Sequence, residues 1–190
     1  MIITISGPAA SGKGTLARML AKELALPHYD FGLMFRAIAL LAKSYGMEQL
    51  YGFINNGELS FCAEQIIFRG IDFNPILRLE EIGLMAARLA SSNYELLESV
   101  AKSMVKHDGF IGDGRTCSQM YSAAEYKFYI TAGEEERMQR RKQDGGETNI
   151  FSERETLDYD RLRLDPSSLL VDTSGKCPDE SIRELLSYIR

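Results

Sequence analysis

Gly7-Pro8-Ala9-Ala10-Ser11-Gly12-Lys13-Gly14-Thr15 is the stretch from which the rest of this chain is read. It follows the apolar run Ile2 to Ser6, a buried-strand candidate, and leads into residues 13 to 25, where Leu16, Met19, Leu20 and Leu24 recur at helical spacing. Gly-x4-Gly-Lys between a strand and a helix is a phosphate cradle. Glycines 7, 12 and 14 let the backbone turn tightly around an anion, so that successive N–H groups at the helix start face phosphate oxygens. Lys13 adds a mobile positive charge. Gly14 stands where the general pattern has a magnesium-coordinating Ser or Thr, and Thr15 takes over as the hydroxyl.

Outward from that loop, Pro27 marks the exit of the first helix, and a second helix is expected from about Gly32 to Tyr45, with Gly46 as its stop. Glu58 to Cys62 and Gln65 to Arg69 read as a small hairpin inserted between core elements. Helices at about 77 to 91 and 94 to 106 precede a strand at Phe110 to Asp113, and another strand spans Tyr126 to Thr131. An arginine-rich helix at 134 to 143, a glycine break at 144 to 149 and a helix at 152 to 163 follow. Leu169 to Asp172 is the last strand and Asp179 to Ile189 the last helix. This alternation predicts an α/β fold: a parallel sheet covered by helices on both faces, with ligands at the carboxyl ends of the strands.

The bulk properties agree with one globular domain. The 190 residues are 45% hydrophobic, enough to bury a sizeable core, and no stretch is long and apolar enough to cross a bilayer. The N-terminus lacks a basic segment followed by a cleavable apolar one, so a cytoplasmic location is expected. Cys62, Cys117 and Cys177 are odd in number and match no metal pattern, which predicts thiols and no disulfide framework. A net charge of −5 argues against a general nucleic-acid or membrane surface. The arginines are clustered, however, and local positive sites in an acidic protein suggest a small anionic ligand.

Three clusters carry chemistry. Arg154, Asp158 and Arg161 stand at i, i+4 and i+7 on one helix face, where two guanidiniums flanking a carboxylate can grip a phosphate and hydroxyls together. A solvated face with helical salt bridges is the alternative. Arg137, Arg140 and Arg141 precede Lys142 and the Gly145-Gly146 hinge, which reads as a lid whose arginines stabilise a migrating phosphoryl group and expel water on closure. A basic turn balanced by Glu134 to Glu136 is the competing reading. Asp113-Gly114-Arg115 ends a strand beside the phosphate loop, so Asp113 could hold magnesium through water and Arg115 an acceptor phosphate, unless it is a simple strand-ending turn. Arg36 is either functional or an ordinary boundary arginine. Asp30-Phe31-Gly32 does not signal a protein kinase, because neither His28 nor His107 begins a His-Arg-Asp loop.

With these residues in place, the chain resembles bacterial cytidylate kinases over nearly its whole length. The Gly-Lys-Gly-Thr variant is similar to that of nucleoside monophosphate kinases, which shifts the expectation toward small-molecule phosphoryl transfer. Asp30 to Arg36 resembles the family's Asp-Ser-Gly-x-x-Tyr-Arg, Asp113 to Arg115 its Asp-Gly-Arg-Asp, Glu135 to Arg141 its lid, and Arg154-x3-Asp158-x2-Arg161 its arginine-aspartate-arginine signature. The tail Leu169 to Gly175 resembles its last strand and turn. The resemblance implies a P-loop kinase core with a monophosphate-binding insert at about 47 to 76 and a lid at about 137 to 152. It also implies ATP with Mg2+ as donor, bound by residues 7 to 15, and (d)CMP as acceptor. Lys13, Arg140, Arg141 and Asp113 are the implied catalytic residues, and Thr15 and Asp113 the magnesium contacts, through water. Asp30, Arg36, Arg115 and Arg161 fall on the acceptor side, with Arg154 and Asp158 toward the ribose.

The base-reading positions depart from the family. Phe31 replaces a serine, Thr116 an aspartate, and Ala87 and Leu96 stand where a serine and an arginine read cytosine. The leading expectation is therefore a monomeric nucleoside monophosphate kinase acting on small nucleotides, with neither nucleic acid nor membrane as partner. A kinase for another small acceptor, or a non-catalytic nucleotide-binding regulator, is the alternative.

Overall fold

The computed structural model describes residues 1–62, 64–143, 153, 156–157 and 164–189. Its core is a five-stranded sheet of β1 (Ile2–Ser6), β2 (His28–Asp30), β6 (Phe110–Asp113), β7 (Tyr126–Thr131) and β8 (Leu169–Asp172). The strand order is β2-β6-β1-β7-β8, and every pairing is parallel. Ile5 and Asp30 both lie in register with Asp113, so the carboxyl ends of β1, β2 and β6 finish together. That common edge is where an open parallel sheet binds ligands.

Alternation within the strands sends two sets of side chains into two cores. Ile3, Ile5, Ile111, Phe128 and Val171 pack against Leu16 and Leu20 of α1 (Lys13–Leu24) and Leu185 of α8 (Pro178–Tyr188). Phe110 faces the other way, into a cluster with Phe31, Met34 and Ile38 of α2 (Phe31–Tyr45) and Leu97 and Val100 of α5 (Glu80–Ser103). Helices therefore cover both faces, as the alternation predicts. Gly112 in β6 is obligatory for this packing, since a Cβ there would fall 2.9 Å from Phe31 and 3.0 Å from Cys117 Sγ.

The insert is larger than a hairpin. After α3 (Met47–Asn55), β3 (Leu59–Cys62) and β4 (Gln65–Phe68) pair antiparallel as expected, and β5 (Ile71–Asp72) adds a third strand before the short α4 (Asn74–Leu77). The two helices expected at 77–91 and 94–106 are both present as consecutive helical stretches of α5, separated at Asn93, whose φ of −141° and ψ of 45° are non-helical. Beyond β6, α6 (Cys117–Met120) leads to β7, and α7 (Glu134–Gln143) coincides with the arginine-rich helix. The glycine break at 144–149 and most of the helix expected at 152–163 lie outside the described residues. No helix among the described residues is long and apolar enough to cross a membrane. Cys117 is a buried free thiol, pushed well up by burial, and Cys177 an exposed one.

Candidate active site

The phosphate loop leaves β1 at Gly7, whose φ is +143° and whose hypothetical Cβ would lie 2.0 Å from the Ile130 carbonyl oxygen. Only glycine fits that crossing. Gly12, with φ +90°, caps α1 in the left-handed region, and Ala10 shares that region at φ +58°. Backbone strain of this kind, of order 1–3 kcal/mol per residue, gathers at ligand-clamping loops. Lys13 Nζ donates to Pro8 O at 3.1 Å, folding its charge over the loop, while Thr15 is exposed at the helix start.

Asp113 sits against this loop, as its place at the end of β6 predicts. Its Oδ2 lies 3.6 Å from where a Cβ on Gly14 would stand, and its Oδ1 accepts from His28 Nε2 at 2.6 Å. His28 Nδ1 in turn meets Glu64 Oε1 at 2.8 Å, so a buried imidazole links two carboxylates. Burial alone would lower the His28 pKa, but hydrogen bonding to Asp113, its charge and Glu64 outweigh it, and the net shift is upward. Asp30 is pushed up by burial and by the charge of Asp113. Its carboxylate caps α2, accepting from Leu33 N at 2.9 Å. The acceptor role implied for Asp30 is thus joined to a structural one, the orientation of the helix that carries Arg36.

Next to the loop a cavity opens between α2, α5 and the turn after β6. Arg36, Arg115, Tyr94 and Thr116 supply its polar lining, and Phe31, Phe35 and Ala87 are among its apolar walls. Arg36 Nη1 donates to Leu77 O at 2.9 Å, anchoring the guanidinium to the end of the insert. Burial lowers the Arg36 pKa against the opposing pull of Asp30, and the charges of Arg141 and Arg78 lower it further. A cluster of cations held close together in a half-buried site is a receptor for a polyanion.

The arginines of α7 divide between the two sides. Arg137 Nη1 donates to Ala9 O of the loop at 3.2 Å. Arg140 donates to Thr173 Oγ1 at 3.0 Å, Thr173 O at 2.9 Å and Glu136 Oε1 at 2.6 Å. Arg141 pairs with Glu80 at the start of α5 and lies close enough to Arg36 to be felt by it. Successive residues on a helix point about 100° apart, and Arg140 and Arg141 accordingly reach different partners. Arg140 is thus held at Thr173 and Glu136, and Arg141 at the start of α5.

The family profile described as Cytidylate kinase matches residues 3–190. The chain belongs to the cytidylate kinase family. It is 32% identical to a cytidylate kinase of Nitrosomonas eutropha, across 97% of this chain and 92% of that protein. Identity to a cytidylate kinase of Clostridium botulinum is 30%, across 99% of this chain and 97% of that one. Among solved structures, the shikimate kinase of Acinetobacter baumannii aligns over 99% of this chain and 92% of its own with a TM-score of 0.52 and 16% identity. Protein TT1252 of Thermus thermophilus gives 0.52 and 17%, over 100% of this chain and 98% of that one. Those likenesses show the P-loop kinase fold.

Set against the family pattern, the departures fall in different places. Phe31 and Ala87 are cavity walls, and Thr116 is a buried lining residue. Leu96 instead packs against the α2–α5 core and does not line the cavity. Tyr94, two residues earlier and just past the break at Asn93, does line it. Sequence reasoning also missed Thr173 and Lys176, which border a second cavity with Gly12, Thr15 and Arg140. The Asp-Thr-Ser-Gly turn after β8 was their only signal. Arg154, Asp158 and Arg161 lie outside the described residues.

Proposed function

We propose that this member of the cytidylate kinase family transfers the terminal phosphoryl group of ATP to CMP or dCMP. The reading is carried by one observation: α7 contacts the phosphate loop through Arg137 and, through the Arg141–Glu80 pair, the start of α5, the helix that walls the arginine-lined cavity. A donor held by the loop and an acceptor held by Arg36 and Arg115 then meet beneath one helix. The acceptor phosphate is already an anionic oxygen nucleophile, so no general base or covalent intermediate is required. Its oxygen forms the new bond to the γ-phosphorus as the bond to the bridging oxygen of ADP breaks. This chain supplies in-line positioning, charge neutralisation and exclusion of water.

On this reading the loop N–H groups and Lys13 hold the donor phosphates. The donor base occupies the cavity bordered by Thr173, Lys176 and Arg140. Arg154, Asp158 and Arg161 complete the acceptor grip by their match to the family signature. No group of three His, Cys, Asp or Glu among the described residues could hold a metal by itself. The oxygen donors near the loop, Asp113 and Thr15, suit a magnesium ion that keeps most of its waters and phosphate ligands. When bound, that ion neutralises charge on the β- and γ-phosphates. The protein so acts in pyrimidine nucleotide metabolism in the cytoplasm.

The test is to incubate the protein with ATP and magnesium plus CMP, dCMP, AMP or GMP, and to quantify diphosphates chromatographically. CDP and dCDP are the expected products. ATP binding with no diphosphate from any acceptor would refute the catalytic reading.

A further inference from the structure

Asp30 and Asp113 are paired in register across β2 and β6, so two carboxylates share one face of the sheet at its carboxyl edge. His28 stands two residues before Asp30 on that same face, and no motif of the sequence singles it out. Its side chain is 3% exposed and that of Asp113 6%, so the 2.6 Å bond between His28 Nε2 and Asp113 Oδ1 is shielded from water. With Oδ1 held from behind, the second oxygen, Oδ2, is turned toward Gly14 at the start of α1.

The other ring nitrogen is held from outside the sheet. Glu64, in the turn between β3 and β4 of the insert, brings Oε1 to 2.8 Å from His28 Nδ1. Its φ of +66° is a left-handed conformation that glycine adopts freely and a residue with a side chain does not. Asn74 Nδ2 fixes that turn by donating to Glu64 O at 2.8 Å. A turn that would suit glycine thus carries a carboxylate, and the carboxylate meets the imidazole. With a partner on each nitrogen, the ring cannot flip or swing without losing a bond, and it sets the plane of the Asp113 carboxylate.

We infer that His28 is a positioning residue of this kinase: held from the insert by Glu64, it fixes the Asp113 carboxylate with Oδ2 facing the phosphate loop, where the donor's magnesium ion is expected. The inference rests on the reading above in which Asp113 contacts that ion through water. A carboxylate free to rotate would present either oxygen, or neither, to the water shell of the ion. Residues that orient a metal contact from behind are typically worth about 10–100-fold in metal affinity or activity. Because Glu64 belongs to the insert, the same contact ties the insert to the donor end of the site.

Calorimetric titration of ATP, once with magnesium and once with a chelator, gives the affinity gained from the ion, and steady-state kinetics give kcat and the KM for CMP. Asp113→Asn and His28→Asn are both expected to cut that gain by about tenfold or more, with the KM for CMP and the affinity for metal-free ATP unchanged. His28→Gln carries its amide nitrogen one bond further out than Asn, near the place of Nε2, and is expected to restore most of the gain. Glu64→Ala alters a half-exposed side chain and carries the test if the His28 variants do not melt like the wild type; a loss of the same gain by about tenfold is expected. A merely structural His28 would instead weaken ATP and CMP alike, with His28→Gln no better than His28→Asn, and that result overturns the inference. So does a gain that falls in Asp113→Asn but in neither His28→Asn nor Glu64→Ala. If Asp113→Asn also keeps the gain, the magnesium contact of Asp113 fails and the inference falls with it. A gain that depends on His28 in a protein that phosphorylates no acceptor would uphold the positioning role and sink the kinase reading.

Discussion

The phosphate loop and the arginine-lined cavity, the proposed donor and acceptor ends of the site, share the carboxyl edge of one sheet, yet they are made of different material. The phosphate loop is built from main chain, with Gly7 crossing Ile130 and Gly12 turning α1 so that its N–H groups converge. The acceptor cavity is built from side chains drawn from α2, α5 and the turn after β6. A backbone receptor recognises any phosphate and is specified by a few contiguous residues. A side-chain receptor recognises one chemical edge and is specified by residues as far apart as Arg36, Tyr94 and Thr116. Function can therefore drift at the acceptor end while the donor end stays the same.

Perturbing one end at a time tests that contrast. The largest effect is expected from Arg36→Ala, because removing one partner of a buried charge contact costs about 2–5 kcal/mol. Acceptor affinity should fall roughly 30-fold to several thousand-fold, with ATP affinity kept, in calorimetric titrations. Equal losses for both ligands would break the division between the ends. Lys13→Ala should lower kcat by about 10²–10³ or more while leaving acceptor affinity in place, the scale of one preorganised electrostatic donor. Steady-state kinetics on a variant that melts like the wild type would decide it.

Gly7→Ala tests the main-chain character of the donor end directly. The added methyl would overlap the Ile130 carbonyl and force a left-handed residue, so a stability loss of about 1–3 kcal/mol or more is expected, read by chemical denaturation together with weakened ATP binding. A Gly7→Ala variant of unchanged stability and affinity would remove the case for an obligatory glycine.

The smallest effect concerns the buried link between the ends. His28 has a folded pKa above its ordinary value, so the stability it contributes is fully present below about pH 6.5 and is lost as pH rises through the folded value. Asp30, also raised, acts in the same direction, because the folded state again binds more protons than the unfolded one. Melting temperature of the nucleotide-free protein should therefore decline above pH 6.5, and His28→Asn should flatten that decline. An identical pH profile for the variant would show that His28 does not titrate as described.

Most of the fold is legible in the sequence. Phe110–Asp113, Tyr126–Thr131 and Leu169–Asp172 are the strands the apolar runs predict, because buried parallel strands announce themselves as short β-rich stretches between helical patterns. The insert is only half legible. Its third strand, Ile71–Asp72, is two residues long and exposed, too short for any pattern to register. The break at Asn93 is legible in the sequence as the gap between two helices. The residues past it that face the cavity are not legible: Leu96 holds a family base-reading position, yet Tyr94 lines the cavity while Leu96 packs on the core.

What the sequence by itself determined is the phosphate loop, the parallel sheet and the presence of arginines at positions 36 and 115 and on α7, because each depends on local spacing and short-range backbone geometry. What only the tertiary structure decided is how those charges are shared and what lines the base pocket. Arg140 and Arg141 are adjacent in the chain but part company across the site, since helical rotation sends one to Thr173 and the other to Glu80. Tyr94 and Thr116 are distant in the chain but touch, since the turn after β6 passes beside α5. Contacts of that second kind arise from packing between elements, and no local pattern encodes them.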